Sequence, residues 1–451
     1  MAKKVVVVGS GNAALSAGIA ALEKGAKVVI YEKADKKMAG GNTKYTAGAM
    51  RFSYESGDQL IDLLKNPDDK RIKNTDFGTY TTEKFSLDLL NFNDGRPLSP
   101  EQNILVSKSF ETIQWLSSHN IKFEPIYSRQ SFLKDGKHIF WGGLTLASEN
   151  EGVGLFDQEL EAFLSLGGKI HYNSPVTKLI YQHHKVSGVL VDNKSVEADS
   201  VILASGGFEA NDELRKLYIG DDWLKAKVRG TPNNTGDGLK MALDIGATKH
   251  GLFDGCHATP MDLHMKNYGG LDLEPGERKN YRKICYFLGI MVNADGKRFL
   301  DEGKNFRNYT YAQYGRKVLE QPEHFAWQIF DSKVFDLLYE EYRFHDAHFV
   351  EGNTLEELID KMDGIDKNET RKTIDEYNKS IDKEIVFDPT ILDGKSTQGL
   401  KIKKSNWAQI LDKGPFKAYP VTGGITFTYG GLKVDDSGRV LKLDNVPIKG
   451  L

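Results

Sequence analysis

The amino-acid sequence predicts an α/β protein in which a doubly wound parallel sheet is interrupted by an inserted α+β domain. Residues 5–8 are four consecutive valines, and residues 201–203 are a second short apolar run. Each run leads directly into glycines and small residues. Runs of this kind are typical of strands that are buried on both faces of a parallel sheet. Between about residues 253 and 418 such patterns disappear, which predicts a separate domain there.

The turn after the first predicted strand has the spacing of a dinucleotide-binding fingerprint. Gly9 permits a tight turn, Gly11 lets the backbone approach a pyrophosphate, and Ala14 is small enough for the next helix to lie against the strand. That helix is predicted over about residues 13–24, with Asn12 and Ala13 at its entrance, and its N-terminus would face the phosphates. The alternative is an ordinary turn between a strand and a helix.

The second predicted strand, over residues 28–31, ends at Glu32 and Lys33. An acid in this position accepts hydrogen bonds from a ribose and favours an unphosphorylated adenosine ribose, as in FAD or NAD, over NADP. Gly25 fits a left-handed cap at the end of the intervening helix. We therefore predict a dinucleotide site in this first unit, with Glu32 and Lys33 among its contacts.

The composition narrows the range of functions. The chain of 451 residues has a net charge of −3, which gives no reason to expect a nucleic acid or an anionic membrane as a partner. Its two cysteines, Cys256 and Cys285, are too few for a disulfide framework and indicate a reducing compartment. The fingerprint lies too close to the start to leave room for a signal peptide, and no apolar run approaches the roughly 20 residues that span a bilayer. We expect a soluble, cytoplasmic protein without a metal site.

The segment at residues 40–50 contains adjacent glycines, small residues and hydrogen-bonding side chains. Taken alone, it fits a surface turn. At this distance after Glu32 it resembles the segment that FAD enzymes of the fumarate reductase and succinate dehydrogenase flavoprotein superfamily lay along the pyrophosphate and the flavin ring. NAD dehydrogenases have no such segment. The resemblance implies cofactor contacts from Gly40, Gly41, Asn42, Thr43, Gly48 and Ala49.

The elements that follow alternate between packing helices and short strands. Residues 100–122 have the apolar spacing of a helix, and packing is the expected role of the loop at 141–143. A helix is predicted over 152–166, a strand over 169–172, and a small antiparallel flap over 175–191.

Two segments after this helix are expected to return to the cofactor. The resemblance implies that Val176, in the flap, touches the adenine side through its backbone. The strand at 201–203 runs into the small residues Ala204, Ser205 and Gly206, as expected where a strand end passes close to a dinucleotide. Together with the fingerprint, this stretch favours FAD over NAD.

Two polar residues further on admit both a structural and a functional interpretation. Asp237 opens a predicted helix and would serve as its N-cap, while the matching aspartate of the superfamily lies beside the flavin. His257 is a lone histidine, which is more often structural than catalytic. It stands, however, where the superfamily places a histidine that binds a substrate carboxylate.

The predicted inserted domain, residues 253–418, is expected to close over the flavin and exclude water from hydride chemistry. It contains a Gly-Lys-Arg-Phe turn at 296–299 that resembles a superfamily motif followed by a proton-relaying arginine. Arg307 falls at that position, with Asp301 and Glu302 as candidate relay acids. The alternative is that Arg307 only binds an anion.

Within the superfamily the chain is most similar to the FAD-dependent tricarballylate dehydrogenases. That family oxidises tricarballylate to cis-aconitate by hydride transfer to flavin N5 and passes electrons to a membrane partner. The resemblance implies catalytic roles for Arg307 and His257 and non-covalent FAD, since no histidine adjoins Gly40 and Gly41. The matching stretches lie at residues 40–43, 204–211, 227–232, 234–238, 255–258, 306–311 and 424–432.

Departures from the superfamily pattern refine the expected function. Fumarate reductases carry a His-His pair where this chain has Thr426 and Phe427, so we expect a different substrate, with Thr426 among its contacts and Phe427 in the core. Residues 419–451 return to the FAD-binding domain, and relatives continue beyond this point. We therefore expect further flavin and substrate contacts to be missing from this chain. The predicted function is dehydrogenation of a small polycarboxylate; the alternatives are reduction of an activated C=C bond and an inactive flavin-binding fragment.

Overall fold

The computed structural model describes residues 2–140 and 143–451, so two of the three residues of the predicted loop at 141–143 lie outside it. The described helices are α1 (Asn12–Glu23), α2 (Asp58–Ile61), α3 (Thr82–Phe92), α4 (Pro100–Ser118), α5 (Tyr127–Gln130), α6 (Glu151–Ser165), α7 (Asp212–Tyr218), α8 (Asp237–Asp244), α9 (Pro275–Arg278), α10 (Tyr311–Leu319), α11 (Leu355–Lys361) and α12 (Lys367–Lys379). The strands are β1 (Lys4–Val8), β2 (Lys27–Tyr31), β3 (Thr75–Asp76), β4 (Phe123–Pro125), β5 (Ser131–Lys134), β6 (Lys137–Phe140), β7 (Leu146–Ser148), β8 (Lys169–His171), β9 (Val176–Gln182), β10 (Lys185–Val191), β11 (Lys194–Glu197), β12 (Ser200–Leu203), β13 (Lys227–Val228), β14 (Lys249–His250), β15 (Cys256–Asp262), β16 (Ile290–Asn293), β17 (Phe325–Asp331), β18 (Val350–Gly352), β19 (Phe416–Thr428) and β20 (Gly431–Leu432).

A parallel sheet of order β12-β1-β2-β8 forms the first unit, as predicted. The valines of β1 alternate between its two faces because successive side chains of a strand point in opposite directions. Val5 and Val7 pack against α1 and α6, whereas Val6 and Val8 pack against the antiparallel sheet β9–β11. The α/β class and the antiparallel flap are therefore confirmed, and the flap covers the face where a doubly wound fold more often has helices.

A second sheet of six strands is built around β19, the longest strand of the described chain. β19 pairs with β17, β15 and β18 antiparallel and with β13 parallel. Its partners β15, β17 and β18, and β16 on the other side of β17, all come from the predicted inserted segment, which packs its own aromatic and aliphatic core. The exact domain boundaries remain a prediction.

The segment between the fingerprint unit and α6 forms a third hydrophobic cluster. It packs α3 and α4 against Phe52, Tyr80, Phe123 and Phe140. The hairpin β5–β6 belongs to this region and reaches the inserted segment through an ion pair between Lys134 and Asp388. Among the described helices, none combines the length and the apolar character that crossing a membrane requires.

Candidate active site

A cavity of about 1030 Å³ opens at the carboxyl ends of β1, β2 and β12, where parallel α/β sheets bind ligands. Most of the residues predicted to contact a cofactor line it. These are Gly9, Gly11, Asn12, Ala13, Glu32, Lys33, Gly41, Asn42, Thr43, Val176, Ala204, Ser205, Gly206 and Asp237. Ala14 is fully buried against the sheet, and Gly40, Gly48 and Ala49 lie outside the lining.

The fingerprint turn is shaped so that only a glycine fits. Gly9 has a φ of +99°, and a Cβ there would lie 2.5 Å from the Ala204 carbonyl oxygen. At the start of α1, Gly11 is the N-cap and has no side chain of its own. Thr43 Oγ1 accepts from the Asn12 N–H at 2.9 Å, and among the described side chains none caps the next amide, that of Ala13. This helix end therefore keeps N–H groups and a positive dipole for an anion such as a pyrophosphate.

Glu32 is oriented for a ribose. It is buried, and its two carboxylate oxygens accept hydrogen bonds from Ser10 Oγ (2.6 Å) and from the Ala34 N–H (2.8 Å). Each oxygen keeps a second lone pair for a ribose hydroxyl. Together with the turn and the cavity, this acid fits the adenosine and pyrophosphate part of FAD.

An ion pair stands at the rim of the cavity. Lys33 Nζ lies 2.6 Å from Asp237 Oδ2 and donates to Thr235 Oγ1 at the same distance. Asp237 is the first residue of α8, and the N-cap is Gly236 with a φ of +80°. The predicted N-cap role of Asp237 is therefore wrong, because its carboxylate is turned towards Lys33 and Thr235 instead of the helix N–H groups.

Asn42 joins the cofactor cavity to β19. Its side-chain amide donates to Glu209 Oε1 (2.7 Å) and to the Thr426 carbonyl oxygen (2.8 Å), and its own oxygen accepts from the Thr231 N–H (2.9 Å). Asn234 donates to the same Glu209 oxygen at 2.6 Å. Burial raises the pKa of Glu209 to about 7, although both amides favour its ionised form.

We expect Glu209→Gln to stabilise the protein at alkaline pH but not at acidic pH. As pH rises, the unfolded chain loses this proton near its ordinary pKa of 4.5 and the folded protein only near 7, so wild-type stability falls between these values. The loss is at most about 3 kcal/mol. Glutamine keeps an acceptor for both asparagines and cannot ionise.

The measurement is urea unfolding of the FAD-loaded protein at about pH 5 and about pH 8. Thr235→Ala, at the rim of the same cavity, is a control that leaves this carboxyl in place. A stability difference between Glu209→Gln and wild type that is the same at both pH values would contradict the assignment.

Four buried or nearly buried guanidiniums form a cluster that begins at Arg229, beside Thr426. Its members come from four separate segments: Arg129, Arg229, Arg282 and Arg307. Arg282 is paired with Glu341, and Arg129 contacts both Glu151 and, at 3.8 Å, Glu341. Burial alone would raise the pKa of Glu341, but Arg282 and Arg129 outweigh it and lower the pKa to about 2. Guanidiniums outnumber these carboxylates, so the cluster can accept further negative charge.

Arg229 and His257 have polar atoms that are free to bind a ligand. Arg229 approaches Thr426 Oγ1 at 3.4 Å, while its buried Nε, like the buried Nδ1 of His257, has no hydrogen-bond partner among the described residues. Burial and the neighbouring Arg229 lower the pKa of His257 to about 3, so its ring is neutral at physiological pH. Burial and Arg282 lower the pKa of Arg229 to about 10, which leaves its guanidinium charged.

Two of the predicted substrate residues, His257 and Arg307, both lie near Tyr311. His257, on β15, is flanked by Tyr311 at 5.1 Å and by Phe427 at 4.8 Å between ring centroids. Arg307 donates from Nε to Tyr339 Oη (2.9 Å) and from a terminal nitrogen to the Arg129 carbonyl (2.6 Å). Phe427 is 45% exposed, so its expected place in the core is wrong; on β19 its side chain faces away from those of Thr426 and Thr428.

The proton relay expected from Asp301 and Glu302 is not formed. Asp301 accepts from Ser405 and from the Gly303 N–H, and Glu302 is paired with Arg298. Their closeness to Arg307 in sequence does not bring their carboxylates to its guanidinium. Among the described residues, the acids paired with the cluster are Glu341 and Glu151, both from distant segments.

Sequence reasoning missed Arg129, Arg229 and Glu341. Arg229 stands in the Lys-Val-Arg-Gly-Thr-Pro stretch at 227–232, which was matched only as a resemblance. Arg129 and Glu341 carry no local pattern, because their role depends on which segments meet in the fold.

Known proteins with similar sequences also support an FAD site in this chain. Residues 4–451 match the family model described as FAD binding domain. A probable fumarate reductase of Shewanella frigidimarina is 28% identical over 461 residues, covering 99% of this chain and 68% of the relative. An NADH:acrylate oxidoreductase of Vibrio harveyi is 26% identical over 99% of this chain, which spans only 46% of that protein.

A solved structure shows the same architecture. The open conformation of a flavocytochrome c3 fumarate reductase superposes with a TM-score of 0.69 at 25% identity, covering 100% of this chain and 72% of that one. The fingerprint turn, the cavity that Glu32 lines and the family match all support FAD as the cofactor. The chain therefore belongs to the FAD binding domain family and is an FAD-dependent oxidoreductase of the fumarate reductase type.

Proposed function

We propose that the protein dehydrogenates a small polycarboxylate, in a reaction of the tricarballylate-to-cis-aconitate type. The observation that carries this proposal is the buried guanidinium cluster beside Thr426, in which Arg229 Nε and His257 Nδ1 lack partners among the described residues. Bound FAD would supply a hydride acceptor, its N5, and the substrate would give up that hydride and one proton as its C–C bond becomes C=C.

Arg229, His257 and Thr426 are suited to hold one carboxylate. Arg229 follows β13, His257 lies on β15 and Thr426 lies on β19. The Thr426 carbonyl also accepts a hydrogen bond from Asn42, which lines the cofactor cavity. Charge-assisted hydrogen bonds contribute about 1.5–3 kcal/mol each, enough for two or three of them to fix the orientation of a small acid. A neutral His257 with the proton on Nδ1 donates without adding charge.

Arg307 is suited to a second carboxylate and to the proton next to it. Burial would lower the pKa of Arg307, but Tyr339 beside it raises the pKa above its ordinary value. The guanidinium is therefore protonated before reaction. This charge state binds an anion directly and can give a proton to a substrate carbon, as reduction requires. For dehydrogenation, Arg307 must first lose its own proton before it can accept the one that leaves the substrate.

A protonated Arg307 favours a second candidate function, the reduction of an activated C=C bond in an unsaturated carboxylate. Both directions use the same anion site and differ in whether the substrate arrives saturated or unsaturated. In either direction a separate electron-transfer protein would complete the cycle.

An anaerobic spectrum of the FAD-loaded protein tests the proposal and its direction. We expect tricarballylate to bleach the visible flavin band if dehydrogenation is the reaction. If reduction is the reaction, dithionite-reduced protein should instead be reoxidised by cis-aconitate or fumarate. A saturated steroid ketone serves as an apolar control. Bleaching by the steroid and by no di- or tricarboxylate would overturn the proposed substrate class.

A further inference from the structure

The helical turn α5 contacts Arg307 although the two are far apart in sequence. The Arg129 carbonyl accepts from an Arg307 terminal nitrogen at 2.6 Å, and Gln130 Oε1 accepts from Asn308 Nδ2 at 3.0 Å. The last carbonyls of a helix have no partner within it, so this one is available to a guanidinium. Two consecutive residues of α5 thus hold two consecutive residues of the 3-10 turn Arg307–Tyr309.

The side chain of Arg129 is itself held by ion pairs. Its guanidinium is only 17% exposed and lies between two carboxylates, Glu151 and Glu341. Glu341 is also paired with Arg282, so the contact with Glu151 is the one that Arg129 does not share with Arg282. The side chain therefore ties α5 to the first residue of α6.

Glu151 itself is held in an unfavourable backbone conformation. Its φ is +58°, directly after Asn150 at +56°, and non-glycine residues rarely adopt this left-handed region. The Glu151 carbonyl accepts from Ser148 Oγ at 2.6 Å, and a Cβ at Gly48 would lie 2.7 Å from the Glu151 carbonyl carbon. Glu151 is thus fixed against the segment predicted to lie along the flavin.

We infer that Arg129 is a positioning residue that couples the cofactor segment to Arg307. The chain of contacts runs from Gly48 to Glu151, through the Arg129 side chain to its own carbonyl, and from there to the Arg307 guanidinium. This inference rests on the proposed function in so far as Arg307 meets the substrate. The structural part of the inference is that Arg129 orders the turn at Arg307, and this can be tested in protein that is not turning over substrate.

Arg129→Met removes the guanidinium and leaves the carbonyl in place. We expect the rate of flavin reduction by tricarballylate to fall by about 100-fold, as for a small misplacement of a reacting group. The Kd for tricarballylate should rise much less, by no more than about tenfold, because only the carboxylate at Arg307 is affected while Arg229 and His257 are untouched. Arg129→Lys, which keeps the charge, should recover part of the rate.

Lys134→Met is the matched control. It also removes a cation that pairs with a carboxylate of the inserted segment, from the hairpin that follows α5, but Lys134 does not contact Arg307. Its reduction rate should stay within about twofold of wild type. Equal rates for Arg129→Met and wild type, or equal losses in Arg129→Met and Lys134→Met, would overturn the inference.

Hydrogen exchange of the FAD-loaded protein separates this inference from the proposed function. The Tyr309 and Thr310 amides close the turn at Arg307, and we expect them to exchange at least about tenfold faster in Arg129→Met but not in Lys134→Met. If no polycarboxylate reacts with the wild-type protein, the proposed function fails and exchange alone decides the role of Arg129. Unchanged protection at 309 and 310 would then refute it.

Discussion

Protein carrying Gly9→Ala should lose FAD. The new Cβ would meet backbone on the opposite side, 2.5 Å from the Ala204 carbonyl oxygen and 3.0 Å from the Ser205 Cα. Neither atom can move without shifting the paired ends of β1 and β12. The φ of +99° adds strain of its own. We expect the Kd for FAD, measured by titrating apoprotein with the cofactor, to rise by at least about 100-fold, or about 3 kcal/mol.

Gly25→Ala is the control for this substitution. Gly25 also has a positive φ, +78°, and lies just past the other end of α1, but a Cβ there meets nothing within 4 Å. It should therefore lower stability by about 1 kcal/mol through backbone strain while the Kd for FAD stays within about threefold of wild type. Equal FAD affinities in the two variants would show that the close approach to Ala204 is not what makes Gly9 necessary.

Arg229→Met should nearly abolish polycarboxylate binding while FAD binding persists. The guanidinium is buried, and its Nε has no described partner, so it is available to a carboxylate. Truncating one partner of a buried charged pair costs about 2–5 kcal/mol. We expect the Kd for tricarballylate, read from the perturbation of the flavin spectrum, to rise by about 100-fold or more.

Two further variants serve as controls for Arg229→Met. Arg229→Lys keeps the charge but not the planar fork and should lose less affinity. Arg316→Met truncates an arginine outside the cluster, one that donates to the Asp254 carbonyl and lies over Trp223, and should bind tricarballylate as wild type does. Wild-type affinity in Arg229→Met would exclude this residue from the anion site and weaken the proposed substrate class.

The first unit of the fold could be predicted because its information is local. The valines at 5–8, the glycines that follow and Glu32 lie within one strand–helix–strand unit, and their spacing alone places them at one edge of the sheet. The predicted start of α1 differs from the observed one by a single residue. The turn at 204–206 was found for the same reason, since it follows a strand with the same apolar pattern.

The substrate side was less predictable because it is assembled from distant segments. Arg129 and Glu341 come into contact only when the third hydrophobic cluster packs against the inserted segment. No spacing pattern in the sequence predicts that contact. Asp301 and Glu302 illustrate the converse case. They lie a few residues from Arg307, but the turn directs their carboxylates to Ser405 and Arg298.

The length of β19 limits how the protein can admit a substrate. The strand pairs with β17 and β18 at its start and with β13 and β15 towards its end, where Thr426 and Thr428 contact Asn42 and the Phe208 N–H. Swinging the whole inserted segment away would break this pairing. Hairpin β5–β6, in contrast, bonds to that segment through side chains, including the half-exposed Lys134. Access to the buried arginines therefore requires a local movement of loops or side chains that leaves the pairing of β19 intact.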